Sequence, residues 1–143
     1  MIECDDIQRA VGKVLKGLGF SVAALETQEG AAKPFCCIEV FPSESERVGH
    51  FIIEDTFSVS VLYYPKIETN EELLAAAVKI KKAVLAEPLL IDGRTLETFK
   101  VSLDRSGTVL GAEFEYTVEQ MIDEAAADYD AAAELNIAIN EKG

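Results

Sequence analysis

Between Phe57 and Tyr64 the chain alternates strictly, with Phe57, Val59, Val61 and Tyr63 interleaved with Ser58, Ser60, Leu62 and Tyr64. A period of two sends successive side chains to opposite faces of a pleated strand, so one face of this segment must find cover. The pattern returns near the end of the chain. There Phe114, Tyr116 and Val118 alternate with Glu113, Glu115, Thr117 and Glu119, which predicts a strand buried on one face and acidic on the other. One-sided strands need an apolar layer against them, and two helical segments can supply it.

The first helical segment follows Asp5 or Asp6, either of which can cap it, and carries Ile7, Val11, Val14, Leu15 and Leu18 on one side. Lys13 and Lys16 suit its C-terminal end, and Gly19 ends it. Gly12 and Gly17 weaken it in isolation, so it requires tertiary support. The second begins at Thr69, with Glu72 three residues on in the spacing of a capping box. Leu73, Leu74, Ala77, Val78, Ile80, Val84 and Leu85 give it a broad apolar face, and Pro88 ends it. Lys79, Lys81 and Lys82 read as complements to the helix dipole.

The remaining segments read as strands and turns. Phe20 to Leu25 is a short strand leading into the polar turn from Gln28 to Lys33. Pro34 and Pro42 bound a strand from Phe35 to Phe41, positions where a strand tolerates proline. Ser43 to Glu46 reads as a turn or hairpin tip before an extended stretch from Val48 to Tyr64. After a turn at Asp92-Gly93, Thr95 to Asp104 and Val109 to Ile122 form an antiparallel pair around Asp104-Arg105-Ser106-Gly107. The expectation is one α+β domain over residues 1–122, an antiparallel sheet packed with two helices in the order α-β-β-β-α-β-β. An acidic, alanine-rich extension follows at 123–143.

Charge narrows the choice of function. The chain of 143 residues carries 26 acids against 13 lysines and arginines, a formal charge of −13. That balance repels phosphate backbones and anionic membrane surfaces, so neither nucleic acid nor membrane is an expected partner. It serves solubility, or it keeps a passing nucleic acid unattached. The N-terminus is acidic where a signal peptide needs a basic stretch, and no apolar run reaches the length of a membrane span. Cys4, Cys36 and Cys37 form no disulfide framework, which reads as reduced thiols in a cytoplasmic setting.

Catalytic constellations are sparse. His50 and the three cysteines are the only nitrogen and sulfur ligands, without the paired spacing of a zinc site, so no metal and no cofactor is expected. A nucleophile pair of Cys36 or Cys37 with His50 is conceivable, although a cysteine in an apolar strand is ordinarily a small buried hydrophobe. Gly17-Leu18-Gly19 ends a helix instead of opening one, the wrong polarity for cradling phosphate. Tyr63-Tyr64-Pro65 is a candidate contact surface. No enzyme is expected. The rival readings are a host small-molecule or peptide-binding module, and a thiol or hydrolytic enzyme built on the Cys–His pair.

Several pieces in order carry a resemblance. They are the amphipathic first helix, Gln28 in its turn, Pro34-Phe35-Cys36-Cys37-Ile38 opening the second strand, the long strand ending Tyr63-Tyr64-Pro65, the helix after Asn70-Glu71-Glu72, and a closing hairpin ending Phe114-Glu115-Tyr116. Over roughly residues 2–120 this resembles the tail terminator (tail completion, minor tail) proteins of long-tailed bacteriophages and prophages, in the small form common in Gram-positive hosts. The resemblance implies an α+β sandwich that assembles as a homo-hexameric ring. Such a ring caps the finished tail tube, stops its polymerisation and offers a surface to the head-tail connector. The implied partners are other copies of the chain, the tail tube protein and the connector protein. The implied places are the bacterial cytoplasm during assembly and the head-proximal end of the virion tail. Contacts are expected from the loop Ser43, Glu44, Ser45, Glu46 and Arg47, from Tyr64, Pro65 and Lys66, from the hairpin Arg105, Ser106, Gly107 and Thr108, and from the extension. Strand edges and the extension are ready means of joining neighbours, and an acidic lumen would let DNA slide.

Overall fold

The structure, a computed structural model, describes residues 1–23 and 32–122. The predicted turn at Gln28 and the extension at 123–143 lie outside the described residues. Helix α1 (Cys4–Gly17) opens at Glu3, not at Asp5 or Asp6. Asp6 sits at the third helical position and accepts the Glu3 amide at 2.9 Å, so it closes the helix start from within. Ile7, Val11 and Leu15 bury the face expected of them. Helix α2 (Asn70–Ala86) starts where predicted, Thr69 Oγ1 accepting the Glu72 amide at 3.2 Å. It stops two residues before Pro88, and Leu73, Ala76, Ile80 and Val84 face inward.

Among the described residues seven strands accompany the helices: β1 (Val22–Ala23), β2 (Phe35–Gly49), β3 (Ile52–Tyr64), β4 (Leu89–Ile91), β5 (Arg94–Leu96), β6 (Val101–Ser106) and β7 (Val109–Met121). Five of them form one sheet in the order β1-β2-β3-β7-β6, antiparallel except for the short parallel pair β1–β2. The fold is the expected α+β class, enlarged by a small β4–β5 hairpin whose Leu89, Ile91 and Leu96 join the core.

Two expectations give way here. Pro42 does not close a strand, and Ser43 to Glu46 is no hairpin tip, because β2 runs through both to Gly49. Proline is tolerated since, among the described residues, β2 is an edge over this stretch, and Ser43 and Val48 are extra residues at two register shifts against β3. The tip lies at His50-Phe51, where Phe51 takes φ 65, a left-handed value unusual for a bulky residue. Likewise Thr95 to Asp104 is not one strand. It breaks after Leu96 and resumes at Val101.

Register assigns the faces. Phe57, Val59, Val61 and Tyr63 of β3 stand beside Tyr116, Phe114, Ala112 and Leu110 of β7, and this face meets both helices in a single core. At its far end the buried Gln120 side chain accepts the Ile2 amide, donates back to the Ile2 carbonyl at 3.0 Å, and donates to Asp55 at 2.6 Å. Those bonds pin the N-terminus to the sheet. The opposite face carries no helix among the described residues.

Candidate functional site

Of the predicted contact segments, three fall within the described residues, and two of these come together at one end of the molecule. Glu72, in the first turn of α2, does not complete its capping box on Thr69. Its carboxylate instead accepts the backbone amides of Lys66 (2.9 Å) and Ile67 (3.0 Å) and the hydroxyl of Tyr63 (2.7 Å). The Tyr63 hydrogen bond leads, with the two amides and the Lys66 charge behind it, in holding the Glu72 carboxyl below its ordinary range. Burial, then the Glu72 bond, pushes the Tyr63 phenol up. The bend after β3 is therefore clamped to the helix start. Beside it, Arg105 donates to Asn70 Oδ1 at 2.6 Å and to the Gly107 carbonyl at 2.9 Å, tying the β6–β7 turn to the same helix start. Of the expected contact residues here, Lys66 and Arg105 to Gly107 are exposed, whereas Pro65 is buried and Tyr64 is half-buried, stacked on Phe35 at 4.7 Å.

The third segment, Ser43 to Arg47, sits toward the other end of the sheet. All five residues are exposed, and they are ordered by their ladder with β3 and by Ser45 Oγ donating to Asp55. The candidate nucleophile pair is not assembled. Cys36 and Cys37 are buried at the start of β2, and His50 lies beyond its other end, about 40 Å away along an extended strand. Burial raises both thiols, Cys36 to about 12, the reverse of what activates a cysteine.

Sequence reasoning missed a cleft of about 950 Å³ on the helix-free face of the sheet. Its floor consists of two cross-strand rows, Glu39–Ser60–Glu113–Ser102 and Phe41–Ser58–Glu115. The segment after β5 walls it with Glu97, Phe99 and Lys100. Phe41 is 63% and Phe99 85% exposed, so two aromatic rings stand in water beside four carboxylates. Beyond the cleft the same face continues with a further acidic row, Glu46–Glu54–Glu119. The period-two signal in β7 marked Glu113 and Glu115. Phe41 and Phe99 carried no such signal, because one was assigned to a strand end and the other to a strand that the fold breaks.

Comparison with known proteins adds the following. A family described as phage tail terminator protein matches residues 6–128. No curated protein matches the chain. One solved structure, of a chain whose name states no activity, aligns over 85% of this chain and 96% of its own at 14% identity, with a TM-score of 0.47. With the family match spanning most of its length, the chain belongs to the phage tail terminator protein family, and its role is a structural one in completing the phage tail alongside other tail or head proteins.

Proposed function

We propose that copies of this chain close into a hexameric ring that caps the finished tail tube and joins it to the head-tail connector. The observation that carries this reading is the polarity of the contact residues. Lys66 and Arg105 to Thr108 gather at the helix start, and Ser43 to Arg47 stand near the other end of the same β3 ladder, about 30 Å away at the rise of an extended strand. A ring built from such subunits presents one set on each rim, which matches a part that must meet a tube on one side and a connector on the other. Each set rests on a rigid element, so little ordering cost falls on docking. The acidic row Glu46–Glu54–Glu119 supplies a surface that repels passing DNA.

The test uses purified chain, tail tubes and connector, read by negative-stain microscopy and by tube length. Wild type should add a ring at one tube end and stop elongation. Arg47→Ala and Arg105→Ala should each weaken a different join, tube or connector, by about tenfold or more, consistent with loss of an anchoring arginine. Tubes that elongate unchecked with no added density would overturn the reading.

A further inference from the structure

Lys81 and Lys82 do not serve the role that the sequence suggests for them. Helix α2 runs to Ala86, so both lie before its last turn, where the dipole effect has faded. Lys79 is engaged elsewhere, its ammonium 5.8 Å from the centre of the Phe20 ring. Among the described residues, neither Lys81 nor Lys82 has an ion pair. Around them Leu74, Val78 and Leu85 are 57%, 43% and 45% exposed. At helical spacing Leu74, Val78, Lys81 and Leu85 fall in one stripe, with Lys82 beside it. The inner face of α2 is already filled by Leu73, Ala76, Ile80 and Val84, so the outer stripe stands outside the core, with Leu85 at its end lining a small recess beside Phe99.

The cleft is the reciprocal surface. It offers Glu39, Glu113 and Glu115 where the helix offers two lysines, and the exposed rings of Phe41 and Phe99 where the helix offers leucine and valine. Its floor carries small side chains at Ser58 and Ser60 on β3 and at Ser102 on the edge strand β6, which leaves room for a helix to approach the sheet. Lys100 on the wall is the one base among the cleft's lining residues. The two lysines and the cleft floor do not meet inside one subunit. Helix α2 packs on the core face of the sheet and the floor lies on the other face, so the strands stand between them, and the helix approaches the cleft where Leu85 borders the wall residue Phe99.

We propose that the Lys81/Lys82 stripe of α2 docks into the acidic cleft of a second copy of this chain. The contact is heterologous, with helix face meeting sheet face, and repeating it stacks helix layer on sheet layer from copy to copy until the rotation closes. This inference rests on the ring reading above and names the joint that reading requires. It places charge complementarity at the joint and leaves the row Glu46–Glu54–Glu119 outside the cleft.

The experiment is a charge swap on the full chain, read by sedimentation velocity at low salt, alone and with tail tubes. One variant carries Lys81→Glu and Lys82→Glu, the other Glu113→Lys and Glu115→Lys, with circular dichroism confirming that each is folded. Each alone should associate at least about tenfold more weakly than wild type, because like charges then face each other across the joint. An equimolar mixture should recover wild-type association, since every joint in an alternating ring is again complementary. Should a reversal unfold the chain, Lys81→Gln and Glu113→Gln should each weaken association to a smaller extent, and variants that assemble like wild type overturn the docking. Variants that assemble like wild type, or a mixture that stays dissociated, overturn the docking while leaving a wild-type ring intact. A wild type that remains monomeric both alone and with tubes overturns the ring and the docking together.

Discussion

Cys36 is completely enclosed, and burial, with a smaller push from neighbouring Cys37, raises its thiol from 9.0 to about 12. Burial alone carries Tyr116 from 10.0 to about 12. In the unfolded chain both groups ionise nearer their ordinary values, so the unfolded state binds fewer protons in the interval between. The stability gained by keeping them neutral is complete below the ordinary values and is lost as pH climbs toward about 12. Thermal melts should therefore show a falling midpoint from about pH 9 upward. At pH 8 the native Cys36 should alkylate at least about 100-fold more slowly than in urea, because thiolate and access are both lacking. Equal rates in peptide mass spectra would contradict the assigned burial. That Cys36 is a small core hydrophobe was legible from its apolar strand. The destination of Glu72 was not. Three residues after Thr69 it has the spacing of a capping residue, but only the folded chain brings Tyr63, Lys66 and Ile67 within its reach.

At the scale of elements, α1 holds a glycine that the fold does not require. Gly12 is buried in regular helix, and an added Cβ would stand 3.8 Å from Ile38 Cδ1, an ordinary van der Waals contact. Gly12→Ala should stabilise the protein by about 0.5–1 kcal/mol, the helix-propensity difference, seen as a higher urea midpoint with unchanged slope. A lower midpoint would show that β2 cannot yield even that contact. Both helices and the strands around Val59 and Phe114 were legible because each buries one face, and burial writes a period into the sequence. The outer half of β2 was not, since Ser43 to Arg47 are all exposed and follow a proline. An edge strand with no face in the core has no apolar period to read. Thr95 to Asp104 misled for the opposite reason, as one run of strand-forming residues serves two separate ladders.

Across the whole molecule the charge of −13 is not spread evenly. Glu39, Glu44, Glu46, Glu54, Glu113, Glu115 and Glu119 all fall on the helix-free face of one sheet, while Lys81 and Lys82 stand on the far side of the helix layer. A subunit polarised in this way should associate less as salt rises. Screening shortens from about 10 Å at about 0.1 M to about 3 Å at about 1 M ionic strength. The concentration for half-association, measured by sedimentation, should rise at least about tenfold over that range, whereas a joint dominated by apolar contact would tighten. The outer margin of β2 has a consequence of another kind. A straight, unpartnered strand of that length invites endless lateral addition of like strands and ends in fibrils. Pro42 removes an amide from that margin, and the extra residues at Ser43 and Val48 throw its remaining groups out of step. An edge broken in this way disfavours open-ended strand addition, so any association between copies is left to surfaces other than this margin.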